Sequence, residues 1–223
     1  MLVFTSYLDV KKREVEDKVW LFFGAIGVAL QVYEIETGQD SLVVLGVSLI
    51  LATVIGMGLF FFGFYGGADG KALIVLALLV PYYHPMVGLY SIAPLIVLTN
   101  GVLISVLLPL AMLFLNAVRL ARGERIFEGF NEPMIRKFLA CLLGYKQLGT
   151  PRSFQFSMEK IERNGEKKFD FSMMRDDFET RGGTWVTPGI PLLMFFALGF
   201  FAMIFYGDFV ISMIGFMFKA FGI

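Results

Sequence analysis

The sequence predicts an all-α polytopic membrane protein of about six transmembrane helices, the first of them truncated, with a small cytoplasmic α+β subdomain. Three observations predict this. The 223-residue chain is 57% hydrophobic with a mean hydropathy of +0.73, above the roughly 45–50% apolar content of soluble domains. Long uncharged runs hold the excess: Ser41 to Ala68, Ala72 to Ala117 and Gly189 to Gly207 contain no Asp, Glu, Lys or Arg. About 18–20 such residues cross a hydrocarbon core. Charge is also segregated. Of the 19 Lys and Arg, 18 lie in residues 11–18, at Lys71 and in residues 119–181, while residues 34–40 and 82–94 hold none. Basic residues accumulate on the cytoplasmic side, so the first group is assigned inside and the second outside.

Taken in order, Met1 to Leu8 is apolar but short, about 12 Å of helix, less than half of a bilayer core. Asp9 to Lys18 is charged. Val19 to Tyr33 is apolar and ends in Glu34, Glu36 and Asp40. Ser41 to Tyr65 is punctuated by Gly46, Gly56, Gly58 and Gly63, small residues that permit close helix approach. Gly66-Gly67-Ala68-Asp69-Gly70-Lys71 is a glycine-rich break. A third span opens at Ala72 to Pro81, with Tyr82-Tyr83-His84-Pro85 as its interfacial end. Pro94 to Leu115 is a fourth, and Ile190 to Tyr206 a last span before Gly207-Asp208 and an apolar tail.

Arg119 to Pro188 is polar. Within it, Phe154 to Ile161 and Lys167 to Phe171 flank Arg163-Asn164-Gly165-Glu166, and Asn-Gly between two such runs signals a β-hairpin. A helix is expected near Pro133 to Leu143. The chain thus divides into residues 1–118 (membrane helices), 119–188 (cytoplasmic subdomain) and 189–223 (last membrane helix and tail). The subdomain reads either as a tethered cap or as a lid over substrate.

Several classes fall away. Net charge is zero and no strongly basic face is evident, so nucleic acid is not an expected partner. Cys141 is the only cysteine, which excludes an intrachain disulfide and a thiolate metal cage; a reduced thiol is expected. The first eight residues are too short for a cleavable signal peptide.

Two acids attract attention. Asp9 and Asp69 each sit at the edge of an apolar span, and the charge bias puts both at one membrane face. Carboxylates brought close cannot both ionise, so the pair holds one proton over a range of pH. Such a pair can hydrolyse a peptide, one member taking a proton from water while the other polarises the carbonyl. No metal or cofactor is needed. Spacing alone leaves other readings open: Asp69 as a helix N-cap, and Asp9 as a solvated partner of Lys11, Lys12 or Arg13.

The stretch Asp9-Val10-Lys11-Lys12-Arg13-Glu14-Val15-Glu16-Asp17 resembles the first motif of the prepilin and preflagellin peptidases, an Asp at the cytoplasmic end of the first helix followed by basic residues. Gly66-Gly67-Ala68-Asp69-Gly70-Lys71 resembles their second motif, GxGD with a Lys two residues on. Asn100-Gly101 and Trp185-Val186-Thr187-Pro188-Gly189-Ile190-Pro191 look like the archaeal preflagellin (prearchaellin) branch. The resemblance runs over nearly the whole chain. It implies a GxGD-type aspartic endopeptidase that cuts the N-terminal leader from archaellin or pilin-like precursors at the cytoplasmic face. Asp9 and Asp69 would be catalytic, with Gly66, Gly67, Ala68, Gly70 and Lys71 as motif residues and leader peptides and the lipid bilayer as partners. Two departures stand out. Ala68 replaces a motif glycine, and alanine penalises positive φ, so the turn is expected to be altered or already right-handed. The family also has a full helix before the first Asp, so the native start is expected upstream or the first helix truncated.

Leaders of this class carry basic residues before the cut, so the acidic Glu14, Glu16 and Asp17 are candidates to guide them, against a solvated interfacial face. Asn100 is expected to hydrogen-bond between helices. His84 receives no role, Asp208 is expected as a helix-end residue in water, and Phe60-Phe61-Phe62 as lipid-facing or packing residues. The competing class is a non-enzymatic transporter or assembly subunit relaying protons or ions through its Asp residues. A transporter favours acids at the bilayer midplane and internal repeats; here the acids cluster at one face and no repeat is evident. The glycines of the second motif suggest that the two acids can rest apart and be drawn together by substrate.

Overall fold

A computed structural model describes all residues except 39–40, 62–66, 84–90, 150–153, 163–165, 172–181 and 222–223. The described chain is mostly helical and divides into two compact units, one of Met1–Ser105 with Pro191–Ile223 and one of Val106–Ile190.

The first unit is all helical: α1 (Leu2–Lys12), α2 (Asp17–Glu36), α3 (Leu42–Phe61), α4 (Gly67–Leu79) and α5 (Ala93–Ser105), then α8 (Leu192–Tyr206) and α9 (Phe209–Phe221) from the end of the chain. Uncharged Leu, Val, Ile and Phe runs form helices in lipid because every backbone polar group must be satisfied within the segment. α4 buries Ala72, Leu73, Val75, Leu76 and Ala77 and packs mainly on α2 and α3, while α1 packs on α8. α5 and α8 meet closely. A Cβ on Gly199 would stand 2.5 Å from the Val97 carbonyl oxygen, and one on Gly101 would stand 2.9 Å from that of Phe195.

The helical runs Asp17–Glu36 and Ala93–Ala121 are long and apolar enough to cross a membrane, and the pair Leu192–Tyr206 and Phe209–Ala220, bent by 50°, makes a third if it is one span. The expected third span, opening at Ala72 to Pro81, corresponds to the 13 residues of α4, roughly 20 Å of helix and shorter than a bilayer core. Asp208 departs from expectation. It is only 7% exposed, and its Oδ1 accepts from the backbone N–H of Val210 (2.7 Å) and Ile211 (3.2 Å). It caps α9 where the helix restarts after the bend, and the packing around that bend takes its carboxylate out of water. Asn100 sits at the same break, fully buried. Its Nδ2 donates to the Gly207 carbonyl (2.9 Å) and its Oδ1 accepts from the Phe209 N–H (2.9 Å). The interhelical role expected of it is what the structure shows.

The second unit comprises α6 (Leu107–Ala121), α7 (Met134–Leu143), β1 (Tyr145–Lys146), β2 (Gln155–Ser157), β3 (Glu159–Ile161), β4 (Lys167–Phe169) and β5 (Trp185–Pro188). β3 and β4 form the expected hairpin, with Ile161 opposite Lys167; Arg163, Asn164 and Gly165 lie outside the described residues. The run from Phe154 to Ile161 is not one strand, however. Phe154 takes a left-handed φ of 64°, and β2 leaves the hairpin to join a three-stranded antiparallel sheet in the order β1-β5-β2. The helix expected near Pro133 to Leu143 is α7, entered from Pro133. Ile126, Phe130, Cys141, Met158, Phe169 and Trp185 make the core, in which Phe130 stacks on Phe169 at 4.2 Å. Two buried carboxylates close it: Glu159 accepts from the Trp185 N–H (2.7 Å) and pairs with Lys167 (3.1 Å), and Glu132 accepts from the Phe169 N–H (3.1 Å) and pairs with Arg136. Asn116 in α6, also fully buried, holds the end of α7 by donating to the carbonyls of Cys141 (3.0 Å) and Gly144 (2.7 Å).

Candidate active site

Asp9 lies near the end of α1 and is partly buried. Arg13 terminates this helix in the left-handed region (φ 56°, ψ 21°), with its N–H on the Asp9 carbonyl at 2.9 Å. A non-glycine residue there costs about 1–2 kcal/mol, so packing around the turn must hold it. The Arg13 guanidinium and the backbone amide of Leu193 both act on the Asp9 carboxylate. Leu193 is in the first turn of α8, where exposed N–H groups favour negative charge. Ser6 reinforces the contact: it is buried and its hydroxyl donates to the Leu193 carbonyl at 2.7 Å. Of these neighbours Arg13 was legible, as part of the basic stretch after Asp9 and a possible charge partner for it; the Leu193 amide and the Ser6 hydroxyl had no such signal.

Asp69 is in the first turn of α4 and is also partly buried. The motif is helical from Gly67 on, and Ala68 has no positive φ. The second motif is therefore right-handed at Ala68, which explains why alanine is tolerated there. Gly66 lies outside the described residues, and Gly67 is exposed. Gly70 faces α3. A Cβ on it would stand 3.1 Å from the Gly56 carbonyl oxygen, and a Cβ on Gly56 would stand 3.0 Å from the Gly70 Cα. This pair lets α3 reach the helix that carries Asp69, whereas Gly46 and Gly58 face open space.

Lys71 bonds Asp17 at 2.5 Å. That ties the first turn of α4 to the first turn of α2, a few residues past the end of α1. At the opposite end, Met1, Leu2 and Val3 of the α1 start meet Leu76, Leu79 and Val80 at the α4 end around an apolar cavity of about 150 Å³, with Ala197, Phe200 and Phe201 of α8 as its third wall. So α1 and α4 run in opposite senses. Seven residues separate Leu2 from Asp9, and seven separate Asp69 from Leu76. At about 1.5 Å per residue, Asp9 stands roughly 10 Å from Leu2 and Asp69 roughly 10–16 Å from Leu76 to Val80, so both acids lie toward the same end of the bundle, away from the cavity. Glu14 and Glu16 are exposed between α1 and α2. His84 and Phe62 lie outside the described residues; Phe60 and Phe61 are exposed and stack edge-on at 5.9 Å. Among the described residues no three His, Cys, Asp or Glu side chains are grouped to hold a metal ion.

Residues 1–110, which contain both acids, match the type IV leader peptidase family. Over these residues, just under half of the chain, it is similar to the members of that family. Similarity to curated proteins extends over nearly all of it. The preflagellin peptidase of Methanococcus voltae is 28% identical over 96% of this chain and 94% of its own length. That of Methanococcus maripaludis strain C6 is 27% identical over 93% and 92%, and that of Methanocaldococcus jannaschii is 28% identical over 100% and 96%. The family match and the apolar helices together support a membrane protein of the protease class.

Proposed function

We propose that this protein is a multi-pass aspartic endopeptidase that removes the N-terminal leader from preflagellin or type IV pilin-like precursors at the cytoplasmic membrane face, with Asp9 and Asp69 as its catalytic pair. The observation that carries the reading is that the two acids lie toward one end of the unit on helices of opposite sense. Both lie at the end of the unit where Lys11, Lys12, Arg13, Lys18 and Lys71 also lie, the end the positive-inside bias assigns to the cytoplasm.

In the mechanism, the acids share one proton. The ionised member accepts a proton from water as that water attacks the scissile carbonyl carbon, and the protonated member donates to the carbonyl oxygen. Collapse of the tetrahedral intermediate breaks the C–N bond, and the amine leaves with the proton returned by the pair. α1 packs mainly on α8, and α4 mainly on α2 and α3, so the two acids are carried by helices with different principal neighbours. Substrate can draw the two helices together. Glu14, Glu16 and Asp17 supply negative potential beside the site for a basic leader. Co-expression with candidate precursors tests this: a gel shift by the mass of the leader supports it, and precursors left whole by a chain correctly inserted in the membrane oppose it.

A further inference from the structure

α7 carries an apolar stripe that no described part of the protein covers. Met134, Ile135 and Phe138 are 81%, 73% and 53% exposed, and Leu139 continues the stripe one turn on from Ile135. The opposite face, through Ala140, is buried in the core of its own unit, with Cys141 buried at its flank. A free surface of this kind is costly in water, since each large side chain leaves a few kcal/mol of burial unrealised.

What covers it is indicated by α6. That helix is apolar and exposed at Leu107, Leu110, Phe114 and Leu115, belongs to a run long and apolar enough to span a membrane, and then turns charged at Arg119 and Arg122. The change from apolar to cationic marks the level where lipid tails give way to headgroups. Asn116 sits at that level, and its two hydrogen bonds fix the end of α7 there. The C-terminal end of α7 is thus tied to headgroup depth, and Arg122 and Arg125, in the segment that follows α6, are exposed as cations suited to anionic lipid phosphates.

We infer that α7 is an interfacial helix whose Met134–Ile135–Phe138 stripe is seated in the lipid surface, anchoring the second unit to the bilayer. A helix of this amphipathic kind lies in the interface plane with its apolar face about 5–10 Å into the headgroup–acyl boundary. The partner is the lipid itself, and the subdomain is held to the membrane independently of any substrate.

The test uses the full chain reconstituted in phosphatidylcholine–phosphatidylglycerol vesicles, with a cysteine introduced at Ile135, Phe138 or, as a water-facing control, Glu128, each carrying a nitroxide. The chain without an introduced cysteine gives the background from Cys141. Ile135→Cys and Phe138→Cys labels should be relaxed several-fold more by oxygen than by a water-soluble nickel chelate, and Glu128→Cys the reverse. Water-like relaxation at all three sites would overturn the inference. So would protection of the two stripe positions from both agents, which would mean a protein partner or a second copy covers them.

Discussion

The ammonium of Lys71 stands 2.5 Å from the carboxylate of Asp17, so the helix that bears Asp69 is fastened to the segment that follows Asp9. The side chains remain 48% and 75% exposed, and a pair so open to water contributes at most about 1 kcal/mol. Its value is positional. It also engages one of the three acids expected to attract a basic leader.

Lys71→Met and Asp17→Asn should therefore lower stability by less than about 1 kcal/mol yet slow precursor cleavage, with the loss larger at low salt than at high salt. The charge-exchanged Lys71→Asp/Asp17→Lys chain should recover most of the rate. Thermal unfolding in detergent and initial cleavage rates, measured on the same preparations, check both parts.

The contact between Gly56 and Gly70 gives a sharper steric expectation. Each Cβ would meet backbone, at 3.0 Å and 3.1 Å, and backbone cannot swing aside as a flexible side chain can. Gly70→Ala should cost about 1–3 kcal/mol and reduce cleavage by moving Asp69 with α4. Gly46→Ala, facing open space, should be neutral or slightly stabilising. Equal unfolding temperatures for the two variants would contradict the packing described.

Asn100 holds the break between α8 and α9 through buried bonds to Gly207 and Phe209. Asn100→Leu strands a carbonyl and an N–H in a buried site, at roughly 1–3 kcal/mol for each group left unpaired. Asp208→Ala removes only the cap, about 0.5–2 kcal/mol. Unfolding of both variants in one detergent should rank Asn100→Leu as the more damaging.

Burial pushes the Cys141 thiol from its ordinary 9.0 up to about 11. A raised folded value means that the native state keeps its proton between pH 9 and 11 while the unfolded chain loses it. The contribution of this group to stability is therefore complete below pH 9 and is lost as pH rises through about 11, following the proton balance of the two states. At neutral pH Cys141 should react with a thiol reagent only as fast as the chain opens, and denaturant should accelerate labelling by orders of magnitude.

Local chemistry made some of this legible in the sequence. The uncharged runs gave the helical first unit, Asn164-Gly165 gave the β3–β4 pairing, and the apolar period after Pro133 gave α7. Long-range packing hid the rest. β5 lies between Gly183 and Pro188 and pairs with residues about 40 positions away at Tyr145, which no local pattern announces. Asp208 looked wet because hydropathy records only where an apolar run ends; its burial comes from the fold around the α8–α9 bend. At the site, the two acids were visible through motif, but the Leu193 amide, the Ser6 hydroxyl and the Lys71–Asp17 bond depend on which helix ends meet.

The most direct measurement is leader removal from a purified precursor by the reconstituted full chain carrying Asp9→Asn or Asp69→Asn, each an amide of nearly unchanged size. If two carboxylates share one proton at this end of the bundle, either replacement alone should abolish cleavage while unfolding temperature and membrane insertion stay close to those of the parent. Processing that persists at near-parental rate after either change would contradict the account.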